Sequence, residues 1–167
     1  MGDRGKSLRV AALFVLGAAT ATASNAAHAR QSEGQSCAEP LTQQLRRFSA
    51  KCLSDLVAFV ASQAKMGAKV YSETEKYYIL VTRDGDGVRA DAVSRFNYPF
   101  MKEGTENTLK QLGWQAPENE SDNWRKRFSI DHARTGAAAE ELGKALAAYG
   151  LTQGQAISLT VGADVTN

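Results

Sequence analysis

The sequence predicts an α+β domain in which helices pack on an antiparallel sheet. Two apolar, β-rich segments flank a pair of Asp-Gly dipeptides, which supply the positive φ angles that a tight hairpin requires. Near the carboxyl end, Ile157, Leu159 and Val161 alternate with polar residues, which is the period of a half-buried strand. The preceding stretch, Thr135 to Tyr149, spaces its apolar residues as a one-sided helix does. The full order of helix, hairpin, helix, strand, helix and strand is typical of the α+β class.

The first 29 residues have the layout of a secretory signal peptide. A basic head is followed by an apolar run at 10–18 and by small residues that end at Ala29. We expect cleavage after Ala29, with Ala23 as the alternative site. The apolar run is shorter than the roughly 20 residues that span a bilayer, although an uncleaved membrane anchor is the other interpretation. The sequence thus predicts a signal peptide (1–29), a flexible lead-in (30–37), one domain (38–162) and a tail (163–167). Its location is then secreted or in the cell envelope.

The charge balance argues against nucleic acid as a partner. The chain carries 20 basic and 18 acidic residues, and the predicted signal peptide removes three basic residues and one acidic residue. The remaining 17 of each leave a neutral domain. Such a domain has no general electrostatic attraction for nucleic acid or for anionic lipid. We therefore expect neither partner, and no stable membrane span once the signal is removed.

The domain is expected to begin with a helix or a pair of helices. Pro40 suits a first helical turn, and Ser49 is a credible N-cap for a second helix. The helical segment should end near Met66, with Gly67 as the stop. The apolar residues that follow the proline fall at spacings of three and four. They are Leu41, Leu45, Phe48, Cys52, Leu56 and Phe59.

The two cysteines outside the signal peptide predict a disulfide between Cys37 and Cys52. An even number of cysteines in an oxidising compartment favours a bridge. One continuous helix from Pro40 would place Cys52 about 18 Å along its axis. Three intervening residues reach only about 10–14 Å, so the bridge requires a break in the helix. The alternative is a buried, apolar Cys52 beside a free, exposed Cys37.

Most of the strands are expected in the middle of the chain. Tyr77–Thr82 is rich in aromatic and β-branched residues, and both of its faces are apolar, so we expect both to be covered. Its partner strand returns at Val88–Val93 after a turn at 83–87. The remaining predicted elements are a strand at Ala68–Ser72, a helix at Thr105–Leu112 capped by Thr105 and ended by Gly113, and a strand at Arg125–Asp131.

No motif for catalysis or for a cofactor is recognisable. Asp84 and Asp86 resemble the opening of a calcium loop, but Val88 stands where the fifth-position ligand belongs. Asp131 and His132 suggest part of a catalytic triad, yet no nucleophile elbow accompanies them. Outside the predicted signal peptide, one histidine and two separated cysteines do not supply a tetrahedral zinc site without several carboxylates. We therefore predict no catalytic residues, no metal and no cofactor.

A family resemblance rests on two segments, KYYILVTRDGDGVRADAVS (Lys76–Ser94) and LKQLGWQAPENESDNW (Leu109–Trp124). Together they resemble the TY-Chap family of actinobacterial proteins, whose predicted fold is similar to type III secretion chaperones and to the YbjN proteins. The resemblance implies a twisted antiparallel sheet with flanking helices and an activity of binding peptides or partner proteins. It carries no catalytic residues, and it leaves Trp114 and Trp124 as packing residues. Chaperones of this architecture are usually pictured in the cytoplasm, which the signal peptide contradicts here.

The expected function is that of an exported, non-catalytic, chaperone-like module that binds a peptide or a protein, with a homodimer left open. Aromatic residues are concentrated beside the predicted hairpin, and tyrosine and tryptophan suit surfaces that bind other chains. The candidate contact residues are Tyr78, Phe96, Tyr98 and Phe100.

Two alternatives stay open. One is a small secreted hydrolase, or an inhibitor of one, whose site only the fold would reveal. The other is a structural component of the cell envelope. A cleft that joins two or more of the following residues would favour the hydrolase: Asp91, Glu103, Asp122, Asp131 and His132.

Overall fold

The computed structural model describes residue 37 and residues 41–74, 76–163 and 165, with the backbone alone for 41–44. The predicted signal peptide (1–29) lies outside the described residues, as do most of the lead-in and part of the tail. In chain order the elements are β1 (Leu41–Arg47), α1 (Ala50–Ser62), β2 (Gly67–Ser72), β3 (Tyr78–Asp84), β4 (Gly87–Ala92), α2 (Thr105–Gln111), β5 (Trp124–Ser129), α3 (Ile130–Thr135), α4 (Ala137–Tyr149) and β6 (Ala156–Gly162).

The strands form one six-stranded sheet in the order β1-β6-β2-β3-β4-β5, and every neighbouring pair is antiparallel. The predicted α+β class, an antiparallel sheet with flanking helices, is confirmed. The hairpin of β3 and β4 occupies the predicted place, and its turn narrows to Gly85 and Asp86 because Asp84 pairs with Gly87. Gly85 has a φ of +56°, a conformation that glycine adopts without steric cost.

The prediction of a helix from Pro40 is wrong, because Leu41–Arg47 forms strand β1. This strand pairs with β6, and Phe48 continues the ladder by donating its N–H to the carbonyl of Gln155 at 2.8 Å. The spacing of apolar residues by three and four is a local signal. It carries no information about this partner strand, which lies more than a hundred residues away in the sequence. Leu45, placed on the apolar side of the predicted helix, is 72% exposed.

The second half of that prediction is confirmed, since Ser49 caps helix α1. Its hydroxyl accepts the backbone N–H of Cys52 at 3.1 Å. The helix ends at Ser62, before the predicted stop, and Gly67 begins β2 instead. Because the chain breaks before Ser49, Cys37 reaches Cys52, and the two form a disulfide with a Cα–Cα distance of 5.2 Å.

The four helices of the described residues cover one face of the sheet. Helix α1 contacts α3 and α4, and α2 contacts α4, so the helices form one layer. The strand register places one set of apolar side chains towards that layer, which we call the helix face. These residues are Ala68, Val70, Ile79, Val81, Val88, Ala90, Ala92, Trp124, Phe128, Ile157, Leu159 and Val161. Within the described ranges, no helix is long and apolar enough to cross a membrane.

Three helix boundaries differ from the sequence prediction. Gly104, not Thr105, occupies the N-cap of α2, and the Thr105 hydroxyl instead donates to the carbonyl of Ala148 at 2.8 Å. Strand β5 ends at Ser129, whose hydroxyl caps α3, so Ile130 is helical rather than extended. Because Gly136 has a φ of +89°, it ends α3 and lets α4 begin separately. The tertiary contact made by Thr105 and the local cap at Ser129 explain the first two differences.

The disulfide should contribute measurably to stability, and Cys37→Ala tests it while leaving the Cys52 sulfur in the core. The bridge closes a loop with a sequence separation of 15 residues. A crosslink of that span stabilises by about 3 kcal/mol through the unfolded state. We expect urea denaturation without reductant to show this loss for Cys37→Ala. In reductant, wild type and variant should unfold at the same urea concentration, and a wild type that keeps its advantage there would contradict the prediction.

Candidate functional site

The face of the sheet opposite the helices, which we call the second face, combines aromatic and charged side chains. Register places Tyr71 opposite Tyr78, and Lys69 opposite Leu80. Leu80 is buried but does not belong to the main core cluster, as its position on the second face requires. The other side chains on this face at β3, β4 and β5 are Thr82, Arg89, Asp91, Arg125 and Arg127.

A buried carboxylate fixes two arginines on the second face. The side chain of Asp91 is 2% exposed, and it lies 2.9 Å from Nε of Arg89 and 3.5 Å from Nε of Arg125. A buried carboxylate is tolerated when cationic donors compensate for its desolvation. Arg125 also contacts Asp122, at 3.2 Å from its Nη2. Asp91 therefore holds both guanidinium groups through their Nε atoms.

Tyr78 lies half-buried on this face, at the end that is nearer to the loop after β4. The Lys69 ammonium sits 4.1 Å from the centre of its ring, within the range of a cation–π contact. Its hydroxyl accepts Nδ2 of Asn123 at 3.0 Å. The Asn123 Oδ1 in turn accepts the Ser94 backbone N–H at 3.2 Å and Nδ2 of Asn97 at 3.1 Å. Asn123 is itself buried, so its amide ties the second face to the loop that follows β4.

That loop, residues 95–101, we call the aromatic loop, and it presents two phenylalanines to solvent. Phe96 is 59% and Phe100 is 83% exposed. Tyr98 between them is buried, with ring centroids 6.0 Å from Tyr77 and 6.3 Å from Phe100. Tyr98 is therefore a core residue that supports the loop, which corrects its assignment to the contact surface. Of the four predicted contact residues, Phe96 and Phe100 are accessible and Tyr78 is partly so.

Hydrogen bonds hold the aromatic loop in one conformation. The carbonyl of Ser94 accepts the N–H groups of Asn97 at 3.1 Å and of Tyr98 at 2.8 Å. Across the loop, Nη1 of Arg95 donates to the carbonyl of Met101 at 3.2 Å, and its Nε lies 3.4 Å from Glu106. The exposed rings thus project from an anchored segment.

A stacked tyrosine pair supports the loop from the helix face. Tyr77 and Tyr149 stack with ring centroids 5.0 Å apart. The Tyr149 hydroxyl donates to the carbonyl of Val93, at the start of the loop. Burial, and to a smaller extent the nearby Glu106, raises the pKa of Tyr149 well above its ordinary range. The hydroxyl therefore keeps its proton, and its hydrogen bond, through neutral and mildly alkaline pH.

Two of the five residues that the hydrolase alternative names do meet. Asp91 and Asp122 both contact Arg125, but Asp91 is buried and both carboxylates are bound to guanidinium groups. Glu103 lies in the loop before α2, and Asp131 and His132 lie in the first turn of α3. In the described residues no three His, Cys, Asp or Glu side chains form a group that could hold a metal ion.

Sequence reasoning missed the role of Asn123 and the pairing around Asp91. The pairing had a signal, because Arg89 and Asp91 are two residues apart in a predicted strand and so share a face. Asn123 had none, since its partners lie in β3 and in the segment after β4, both distant from it in the sequence. The packing roles of Trp114 and Trp124 are as predicted, and both side chains are buried.

Comparison with known proteins adds no relative. No family model, no curated protein and no solved structure matches this chain. The resemblance to the TY-Chap family therefore stays a prediction. The geometry of the second face and of the aromatic loop is the basis for the function proposed below.

The raised pKa of Tyr149 predicts a pH-dependent stability that Tyr149→Phe removes. At neutral pH the variant should lose about 2 kcal/mol, because the carbonyl of Val93 is left without its donor. In the unfolded wild type this tyrosine ionises near pH 10, whereas the folded state keeps its proton. The tyrosine's contribution is therefore complete below about pH 10 and falls by about 1.4 kcal/mol per pH unit above it.

Urea denaturation of both proteins between pH 7 and pH 11 measures this effect. The difference in the free energy of unfolding should be constant up to about pH 10 and then shrink. A difference that stays constant to pH 11 would show that Tyr149 ionises equally in both states.

Asn123→Ala should loosen the aromatic loop. The change removes the acceptor for the buried N–H of Ser94 and the donor to Tyr78, so we expect a loss of about 2 kcal/mol. Hydrogen exchange of the Asn97 and Tyr98 amides should become faster than in wild type. Asn119→Ala, in the exposed loop before β5, is the matched control and should leave both amides unchanged. Unchanged exchange in Asn123→Ala would mean that other contacts alone fix the loop.

Proposed function

We propose that this chain is an exported, non-catalytic module that binds a peptide or a partner protein through the aromatic loop and the adjoining second face. One observation carries the proposal. Of the three large apolar side chains exposed among the described residues, two lie four residues apart in the aromatic loop. Both project from an anchored backbone, and Phe100 also contacts the buried ring of Tyr98.

The exposed rings of Phe96 and Phe100 contribute little to the stability of the fold, and their fixed positions favour a role in binding. Single exposed apolar residues are normal on protein surfaces, whereas clustered aromatic residues are enriched in the centres of interfaces. Phe96 and Phe100 gain little from the fold itself, since solvent covers most of their surface. Because the loop is already ordered, a partner would not have to supply the free energy of ordering it.

The neighbouring sheet edge favours contact on the face over addition of a strand. Gln115 and Arg125 exchange both backbone hydrogen bonds, at 2.8 and 3.0 Å, and so occupy the outer edge of β5 beside the loop. An incoming strand therefore finds this position taken. Tyr78 and Lys69 instead present an aromatic and cationic surface next to the loop.

Three observations support export and the chaperone-like class. The amino-terminal pattern is that of a signal peptide, and the Cys37–Cys52 disulfide suits an oxidising compartment. The segments Lys76–Ser94 and Leu109–Trp124 resemble the TY-Chap family, which implies peptide or protein binding. This last support is an analogy of fold and family, and fold alone does not fix function.

The hydrolase or inhibitor alternative has one observation in its favour, the meeting of Asp91 and Asp122 at Arg125. A hydrolytic carboxylate needs access to the substrate, and Asp91 is almost fully buried. Asp122 alone then offers one accessible carboxylate. The arrangement is therefore better suited to hold arginines than to transfer protons.

The double variant Phe96→Ser/Phe100→Ser tests the binding function. We expect it to capture at least tenfold less partner in a crosslinking pull-down from culture filtrate and envelope fractions. Its free energy of unfolding should stay within about 0.5 kcal/mol of wild type, because both rings are exposed. Each captured partner is verified by competition with peptides of its own sequence.

Leu45→Ser is the matched control: Leu45 is the third exposed large apolar residue and shares the second face, but it lies on β1, three strands away from Tyr78. It should capture as much as wild type. Equal capture by all three proteins, or no partner at all with a folded protein, would reject the proposal.

A further inference from the structure

A groove lies at the end of the second face farthest from the aromatic loop. It has a volume of about 560 Å³ and is lined by residues of the α1–β2 turn, of β2 to β4 and of the segment after β6. The residues that matter for its chemistry are Lys65, Gly67, Leu80, Thr82, Arg89 and Val165. The proposed function leaves it unassigned.

The groove has a cationic rim. Arg89 is half-exposed, and among the described residues its one hydrogen bond joins Nε to Asp91 at 2.9 Å. Its Nη1 and Nη2 groups therefore remain as a planar pair of donors. Lys65, also exposed, lies in the α1–β2 turn and lines the groove. Such paired donors with a second cation match a carboxylate.

The other charged residues that line the groove do not reverse this balance. Arg83 directs Nη1 to the carbonyl of Ala61, at 3.4 Å. Asp84 is the single acidic residue of the lining, and it lies 3.8 Å from Arg127 outside the groove. The lining therefore carries three cations and one anion, and the anion has a cationic neighbour.

The floor of the groove is apolar. Leu80, Ala163 and Val165 line it, and Gly67 packs closely beside them. A Cβ on Gly67 would meet Thr82 Cγ2 and Val165 Cβ at 3.3 Å. A ligand that satisfies both parts of the groove carries a carboxylate next to an apolar group. The carboxyl-terminal residue of a peptide with an apolar side chain has this chemistry.

The distance to the aromatic loop fits the same ligand. Tyr78, which adjoins the loop, and Thr82, which lines the groove, both lie on β3 and on the second face. Four residues of strand separate them by about 13 Å. An extended peptide along β3 would need about the same number of residues to reach from one to the other.

We propose that the groove binds the carboxyl-terminal residue of the peptide partner. Arg89 and Lys65 bind its carboxylate, the floor at Leu80 and Val165 takes its side chain, and residues upstream reach the aromatic loop. This inference rests on the proposed function and gives the partner a chemical class: a free chain end with an apolar last residue. Capture of terminal carboxylates is a known mode of peptide recognition.

Two pools of hexapeptides test the proposal against the full chain. Both vary the first five positions identically and end in leucine, valine or phenylalanine, one pool as free acids and the other as carboxamides. Bound peptides are counted by mass spectrometry. Wild type should retain the acids at least about tenfold over the amides, since hydrogen bonds to charged groups are the stronger ones. A fatty acid, octanoate, is titrated separately as a carboxylate without a peptide.

Arg89→Gln and Lys65→Gln should each bring the acid-to-amide ratio towards one. Lys144→Gln is the matched control: Lys144 is an exposed lysine of helix α4 and does not line the groove, so the ratio should persist. Circular dichroism verifies that Arg89→Gln is folded. Lys65→Gln changes an exposed residue, so it keeps the test decisive if Arg89→Gln unfolds.

The outcomes separate this inference from the proposed function. Equal retention of acids and amides, lost in Phe96→Ser/Phe100→Ser, would overturn the carboxylate site and leave the binding module standing. Retention of neither pool by the folded protein would overturn the carboxylate site, and the pull-down would still decide the binding function. Octanoate binding that depends on Arg89, without retention of peptides, would assign the groove to a small acid and overturn the peptide terminus as its ligand.

Discussion

The contact between Tyr77 and Tyr149 determines where the rest of the site can form. The two rings stack across the boundary between the sheet and helix α4, and the Tyr149 hydroxyl binds the carbonyl of Val93 where β4 ends. This fixes the point at which the chain leaves the sheet. Tyr98 then packs on Tyr77, so the aromatic loop is built on the core itself. The exposure of Phe96 and Phe100 follows from that support rather than from a lack of order.

The local pattern of residue types predicted the elements that depend on residues close together in the sequence. The β3–β4 hairpin, the cap at Ser49 and strand β6 each follow from residues within a few positions of one another. Strand β1 does not, because an edge strand is selected by the free backbone groups of its neighbour β6. The candidate site divides in the same way. Aromatic density indicated the loop, but burial of Tyr98 and the bonds of Asn123 depend on segments that only the fold brings together.

The second face shows how a sheet can keep one face without a helix. Arg89 and Arg127 stand directly opposite each other, an arrangement of like charges that is unfavourable by itself. The carboxylate of Asp91 offsets the charge of Arg89. The carboxylate of Asp86, 2.5 Å from Arg127, offsets the charge of Arg127. Leu80 can then be buried among long polar side chains instead of under a helix. The sequence predicts that both faces of β3 are covered. Helices cover one face, and neighbouring side chains cover the other.

Both edge strands of the sheet are restrained, which favours the second face as the surface for the proposed partner. At one edge Gln115 occupies the hydrogen bonds of Arg125. At the other, β1 covers β6 and is held at both of its ends. The Cys37–Cys52 disulfide restrains its start, and Arg47 donates Nη1 to the carbonyl of Gly154 at 3.0 Å near its finish. Unpaired strand edges invite association with any extended chain. Restraining them makes recognition depend on side chains, which is the condition for selecting a partner by its chemistry.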